Sequence, residues 1–346
     1  MNMIRLTIDN QEITTRKGIT ILEAAKNAGI IIPTLCYHER LKPIGSCNMC
    51  VVEVDGQSEP VTACTTPVED GISVTTQSDQ LFSMRQTALK RILANHPLDC
   101  PVCDKAGACM LQDLTFDFGI KSIDCQVPKR NYIPAYHTTF IKHWSERCIL
   151  CLRCVNACKE VQCIGAIDSE ETQDGPQLTF DRDKCVSCGE CVQVCPVGGM
   201  LEKKSALRWR SWETTQVRTT CPYCGVGCQQ LLHVKNGKIV QVTGVEDAEP
   251  NKGRLCVKGR YGFDFIYSDE RLKTPLIKEN GRFREASWDE ALDLVTQKFT
   301  EIIARHGPDA LAGVSCARSI NEDSYNMQKL FRAVIGTNNI DHCART

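Results

Sequence analysis

The sequence has no excess charge of either sign. Its 41 Lys and Arg residues nearly cancel 42 Asp and Glu, leaving a formal net charge of -1. Bulk electrostatics therefore point to neither nucleic acid nor an anionic membrane surface. Long apolar runs are absent as well, because nothing approaches the roughly 18 consecutive residues that a spanning helix needs. The start of the chain, Met1-Asn2-Met3-Ile4-Arg5-Leu6-Thr7-Ile8-Asp9, enters strand-like alternation at once. It shows no basic n-region, apolar h-region or twin-arginine signal, so a cytoplasmic protein without direct membrane insertion is expected. A Gly-rich dinucleotide fingerprint is also missing, since Gly225-Val226-Gly227 is too short to serve as one. What the sequence has in quantity is cysteine: 23 in 346 residues, an odd number. A chain of this length needs no disulfide staples, and thiols at this density in a reducing compartment are usually metal ligands.

The spacing of elements divides the chain into five stretches. Residues 1–78 read as a small sheet with one helix. A hairpin is expected to turn at Asn10-Gln11, Thr20-Ile21-Leu22-Glu23 forms a capping box, and a second hairpin turns at Asp55-Gly56. Within 79–118, Leu81, Met84, Ala88, Leu89, Ile92 and Leu93 follow a helical period that delivers the chain to His96 and a cysteine-bearing loop. Residues 138–205 hold two similar cysteine runs, an internal duplication with room for a hairpin between them. Residues 214–272 carry one more cysteine group and an alternating stretch over 231–242. Residues 273–346 turn to an α/β pattern, with a helix capped at Ser287-Trp288-Asp289-Glu290, a short strand near 311–315, a helix over 322–335 and a strand starting near 339.

Four cysteine groups have ligand spacing. Cys36, Cys47, Cys50 and Cys64 follow C-x10-C-x2-C-x13-C, which suits a 2Fe-2S rhomb wrapped by a long loop, although x10 departs from the plant-type x4. His96, Cys100, Cys103 and Cys109 follow H-x3-C-x2-C-x5-C. Three cysteines leave a four-iron cluster one ligand short, and neutral imidazole can supply the fourth; zinc held by the same three thiols and one imidazole is the rival. Cys148, Cys151, Cys154 and Cys158 follow C-x2-C-x2-C-x3-C, and Cys185, Cys188, Cys191 and Cys195 repeat it with Pro196 after the last. In two-cluster ferredoxins the fourth cysteine of each run crosses over. Cys195 is therefore expected to join Cys148, Cys151 and Cys154, and Cys158 to join Cys185, Cys188 and Cys191. Lys159 stands where a proline is common. Cys221, Cys224, Cys228 and Cys256 follow C-x2-C-x3-C-x27-C around Gly225 and Gly227, with a zinc knuckle as the alternative. These groups take 19 of the 23 cysteines. Cys125, Cys163, Cys316 and Cys343 are left over and are expected to be small buried hydrophobes.

The order of the first three groups resembles the electron-input end of iron-only hydrogenases and the large iron–sulfur subunit of NADH:quinone oxidoreductase. The fourth group, continued by Gly253-Arg254-Leu255-Cys256-Val257-Lys258-Gly259-Arg260, resembles the N-terminal domain of molybdenum or tungsten bis-pterin oxidoreductases. Within them it is similar to the catalytic subunit of NAD-linked formate dehydrogenase. Pro275-Leu276-Ile277, Ser287-Trp288-Asp289-Glu290-Ala291 and Ile335-Gly336-Thr337-Asn338-Asn339-Ile340-Asp341-His342-Cys343-Ala344-Arg345 extend the likeness.

The resemblance implies an α+β multidomain chain. Its parts would be a β-grasp 2Fe-2S ferredoxin domain, a 4Fe-4S domain ligated by one histidine and three cysteines, a two-cluster 4Fe-4S ferredoxin domain, a bis-pterin-type 4Fe-4S domain and an incomplete α/β region. It implies one 2Fe-2S and four 4Fe-4S clusters, with a molybdenum or tungsten bis-pterin guanine dinucleotide in the full-length protein. Lys258 would lie between the last cluster and a pterin. Electrons from formate would pass along the clusters to a flavoprotein subunit handling NAD, with a small 2Fe-2S subunit or a hydrogenase subunit as further partners. The rival is a non-catalytic iron–sulfur subunit of an NADH dehydrogenase, hydrogenase or electron-bifurcating complex. In the family, Cys-Ala-Arg and one more residue precede the metal-ligating cysteine or selenocysteine, and here that extra residue is Thr346. The expectation is a chain cut at an in-frame UGA, unable to oxidise formate by itself.

Overall fold

The computed structural model describes residues 3–132, 136–173, 175–204, 209–317 and 319–343. Two compact units are present: Met1–Thr215 with His233–Gln241, and Gln216–Leu232 with Val242–Thr346. Ala344, Arg345 and Thr346 lie outside the described residues.

The first unit opens with strands β1 (Met3–Ile8) and β2 (Gln11–Arg16), helix α1 (Ile21–Asn27), and strands β3 (Val51–Val54), β4 (Val61–Thr62) and β5 (Ser73–Thr75). They make one sheet of order β2-β1-β5-β3-β4, in which β1 and β5 run parallel. The first hairpin turns at Asp9-Asn10, one residue earlier than the sequence suggests. Both residues take positive φ (49° and 65°), the backbone a two-residue hairpin needs, and this leaves Gln11 free to pair with Ile8. The capping box is present: the Thr20 hydroxyl accepts from Glu23 N, and the Glu23 carboxylate accepts from Thr20 N. Ile4, Leu6, Ile8, Ile21, Leu22, Val52 and Val74 form the core of this sheet, with Cys50 and Cys64 packed among them.

Helix α2 (Asp79–Leu93) follows, with Ser78 as N-cap, and then α3 (Met110–Asp117). The buried stripe of α2 is Leu81, Arg85, Leu89 and Leu93. Arg85 takes a place on that stripe although it is charged, because its guanidinium donates to the carbonyls of Met49, Val51 and Thr76. The expected core residue Met84 is instead 37% exposed. Beyond lie β6 (Ile141–His143), α4 (Arg153–Asn156), β7 (Ile167–Thr172), β8 (Gly175–Phe180), α5 (Glu190–Gln193) and β9 (Met200–Glu202). β7 and β8 are the hairpin between the two cysteine runs, and β6 pairs with β9. A second core joins Leu35, Leu89, Leu93, Leu111, Ile141, Leu178 and Met200 to Cys36, Cys47, Cys109, Cys154, Cys191 and Cys195. Cysteines thus line the interior of both cores.

Strands β10 (Thr215–Thr220), β11 (Gln229–Lys235) and β12 (Lys238–Gly244) form a three-stranded sheet, with Asn236 and Gly237 at positive φ between the last two. The second unit also holds α6 (Val257–Tyr261), the hairpin β13 (Leu276–Glu279) and β14 (Arg282–Glu285), and α7 (Trp288–His306). It ends with β15 (Gly313–Ser315), α8 (Asn321–Lys329) and β16 (Ile340–His342). Ser287 caps α7 by accepting from Glu290 N, and β15 pairs in parallel with β16. No residue of α7 is buried by the described residues, although Leu292 and Val295 lie on its apolar stripe. Among the described residues no helix is long and apolar enough to cross a membrane.

Candidate metal centres

Cys36, Cys47, Cys50 and Cys64 come from the loop after α1, the turn before β3 and the end of β4, and each is at most 9% exposed. Their thiols hydrogen-bond to one another, Cys36 to Cys47 and Cys64, and Cys50 to Cys64. Hydrogen bonds from Cys47 and Cys64 push Cys36 down, Cys64 does the same to Cys50, and Cys47 and Cys64 are pushed up in exchange. Gly45 supports the loop at φ +65, where an added Cβ would fall 3.2 Å from Thr65.

In the second group Cys103 and Cys109 are buried, and Cys109 is the N-cap residue of α3. Burial pushes His96 below the usual imidazole range, so the ring is held neutral, the form that ligates metal. Its buried Nδ1 has no hydrogen-bond partner among the described residues. Asp99 forms an ion pair with Arg147, whose Nε lies 3.1 Å from the Asp99 carboxylate. Gly198 packs so closely here that a Cβ would stand 2.5 Å from Cys103 Sγ.

The duplicated runs share one backbone form. Leu150 and Leu152 in the first, and Ser187 and Gly189 in the second, take positive φ at equivalent positions. Left-handed residues alternating in this way curl backbone N–H groups inward as an anion nest, and Leu150 N donates to Cys148 Sγ at 3.4 Å. For leucine that conformation costs about 1–2 kcal/mol per residue. Cys148, Cys151 and Cys154 line a cavity together with Cys195 from the other run, and Gly199 borders it. Cys191 in turn has Cys188, Cys185, Cys195 and Cys158 as its charged neighbours, and burial raises its thiol far above the ordinary value. Cys195 thus lines the first run's cavity, while Cys195 and Cys158 both neighbour Cys191. Lys159 makes a 2.6 Å ion pair with Asp168.

In the second unit Cys221 N donates to the carbonyl of Cys228 at 2.8 Å, closing the tight loop through Gly227. Cys224 and Cys256 are the charged neighbours of both Cys221 and Cys228, whose thiols burial raises. Cys256 caps α6, and Gly259, one turn on, would place a Cβ 3.5 Å from Cys221 Sγ. Lys258 is exposed on the same helix. Among the described residues no three His, Cys, Asp or Glu side chains close tightly enough around a point to chelate a single ion.

The leftover cysteines correct an expectation. Cys163, Cys316 and Cys343 are exposed and Cys125 is half-buried. Cys163 sits in a tight turn at φ +55, and Cys316 and Cys343 follow the ends of β15 and β16, where no described element covers them. The buried cations Arg85, Arg147 and Arg153 carry no signal in the ligand spacing. Two of them are detectable as positions next to ligands: Arg147 precedes Cys148, and Arg153 precedes Cys154.

Five family descriptions match consecutive stretches of the chain. Residues 1–79 match the 2Fe-2S iron-sulfur cluster binding domain, 85–124 the NADH-ubiquinone oxidoreductase-G iron-sulfur binding region, and 147–199 the 4Fe-4S dicluster domain. Residues 214–268 match the molybdopterin oxidoreductase Fe4S4 domain and 271–346 molybdopterin oxidoreductase. The chain is thus an α+β series of iron–sulfur domains leading into a molybdopterin oxidoreductase region. Similar proteins include the NADPH-Fe(3+) oxidoreductase subunit alpha of Geobacter sulfurreducens, 40% identical over 99% of this chain and 40% of that protein. An NADH-quinone oxidoreductase subunit of Rhizobium meliloti is 38% identical over 99% of this chain and 40% of that protein. A Staphylococcus aureus protein provisionally named formate dehydrogenase is 34% identical over 98% and 39%. The chain therefore spans about 40% of the length of the curated relatives it matches. A chain in a crystal structure of an NAD+-reducing [NiFe]-hydrogenase in the H2-reduced state has a TM-score of 0.54 and 28% identity, covering 60% of this chain and 90% of that one.

Proposed function

We propose that this chain is the iron–sulfur electron-transfer portion of a formate dehydrogenase-type oxidoreductase, delivering electrons to a flavoprotein partner that reduces NAD. The observation that carries the reading is the cavity walled by Cys148, Cys151, Cys154 and Cys195, which joins the two runs as a pair of four-iron clusters requires. The donor chemistry fits: four all-thiol sets and one neutral imidazole with three thiols. We assign Cys36, Cys47, Cys50 and Cys64 to a 2Fe-2S cluster. His96 with Cys100, Cys103 and Cys109, the two crossed sets, and Cys221 with Cys224, Cys228 and Cys256 are assigned to four 4Fe-4S clusters. When bound, such clusters carry single electrons, at potentials set by burial and by hydrogen bonds to sulfur. The chain's own residues hold the thiols in place, bury those of the Cys36 set, and aim backbone N–H groups at Cys148 and Cys158 Sγ. Lys258, two residues past Cys256 and exposed on α6, is proposed as the cation facing a molybdenum or tungsten bis-pterin.

A second reading, a non-catalytic iron–sulfur subunit of an NADH dehydrogenase, hydrogenase or electron-bifurcating complex, is favoured by the names of the Rhizobium relative and the hydrogenase structure. One experiment separates the two. The protein is purified anaerobically from its host with the subunits that accompany it, and cluster EPR signals are followed after adding formate or NADH. The first reading predicts that formate alone develops the reduced signals. Reduction by NADH with no response to formate would support the second.

A further inference from the structure

We infer that Arg153 is a positioning residue, a buried cation set between the 2Fe-2S ligand loop and the Cys148/Cys151/Cys154/Cys195 site that raises the reduction potentials of both. The inference rests on the cluster reading above. Arg153 is 5% exposed, and its guanidinium touches three ligand-bearing segments. Nη2 donates to the carbonyl of Tyr37, the residue after Cys36, and Nη1 donates to the carbonyl of Val194, the residue before Cys195, at 3.3 Å. Nη1 also lies 3.5 Å from the sulfur of Met110, the residue after Cys109. Arg153 itself falls between Cys151 and Cys154. Among the described residues no carboxylate pairs with it.

The carbonyls it holds adjoin ligands of two different sets, Tyr37 next to Cys36 and Val194 next to Cys195. A desolvated cation without a carboxylate is costly; carbonyl hydrogen bonds lower that cost, and a nearby negative charge lowers it further. Each cluster with four thiolates carries a formal charge of about -2 when oxidised and gains one more negative charge on reduction. A fixed positive charge in this low-dielectric interior therefore favours the reduced state of both neighbours. Its two carbonyl bonds also pin the loop after Cys36 to the segment before Cys195, which fixes the spacing between the sites.

The test uses the anaerobically prepared protein with its clusters, comparing Arg153→Met, Arg153→Gln and Arg153→Lys by EPR-monitored redox titration and iron analysis. In Arg153→Met, the 2Fe-2S resonance and one four-iron component are each expected to show a tenfold or greater shift in their reduction equilibrium, about 59 mV for a one-electron couple. Arg153→Lys, which keeps the charge but loses the fork, is expected to stay within about threefold of the parent. Unchanged potentials in Arg153→Met with full iron would overturn the inference, as would equal shifts in the Met and Lys variants. If Met and Gln lose iron while Lys retains it, the charge requirement stands; loss in all three would reduce Arg153 to a purely geometric part and overturn it. Absence of both signals from the parent protein would instead contradict the cluster reading itself.

Discussion

Changing Cys195 to serine is expected to remove the four-iron centre of Cys148, Cys151 and Cys154 while leaving that of Cys185, Cys188 and Cys191 in place; Cys158→Ser should do the reverse. The effect is large because the missing thiolate is one of four, and each variant should lose about four irons per chain. What makes the result diagnostic is its location, in the run that has not been mutated. Cys195 lines the cavity of the first run, and both Cys195 and Cys158 neighbour Cys191 in the second, so the variants decide between the two pairings. Iron analysis combined with EPR of Cys195→Ser and of a double variant, Cys195→Ser with Cys148→Ser, reads this out. If the pairing is crossed, the double variant loses no more iron than the single one. If each run held its own cluster, the double variant would lose about eight irons, twice as many.

The second large effect is expected at Gly198. Its φ is not in the left-handed region, so the glycine is required by space rather than by backbone conformation. A methyl group there would meet Cys103 Sγ at 2.5 Å and Arg147 Cδ at 3.2 Å. Neither neighbour can easily yield. Cys103 is held by Arg210, which donates to its carbonyl at 2.7 Å, and Arg147 is fixed by its two-pronged contact with Asp99. Gly198→Ala should therefore displace the Cys103 thiol, cost about 1–3 kcal/mol as an overpacked core does, and abolish the His96 centre selectively. Thermal unfolding and the low-temperature EPR spectrum check both parts. A variant with parental stability and an intact His96-centre signal would refute the packing argument.

Much of the proposed ligand arrangement comes from the sequence, because a ligand set is a constraint on spacing and spacing survives in one dimension. The Thr20/Glu23 cap, the hairpin between the duplicated runs and the helix opened by Ser287 are equally readable, since each depends on neighbours within a few residues. Features that depend on distant contacts are not. Arg85 sits on the buried stripe of α2 because three carbonyls from other segments wait for it, and no local pattern announces that. Arg153 reads as an ordinary residue inside a cysteine motif, although its partners lie 41 and 116 positions away. The expectation that Cys163, Cys316 and Cys343 are buried fails for a related reason. Residue type predicts burial only on average, and these three occupy a turn and two strand ends. The left-handed Leu150 and Leu152 run against leucine's own preference, and the proposed cluster gives that backbone a role as an anion nest.

The measurement that bears most directly on the central claim is the metal content of the anaerobically reconstituted chain, with iron, acid-labile sulfide and zinc determined on the same sample and the iron types resolved by Mössbauer spectroscopy. The ligand sets predict about eighteen irons per chain, a matching amount of sulfide, and a distinct two-iron ferric component alongside the four-iron ones. Stoichiometric zinc with iron well short of that value, or four-iron spectra with no two-iron component, would contradict it.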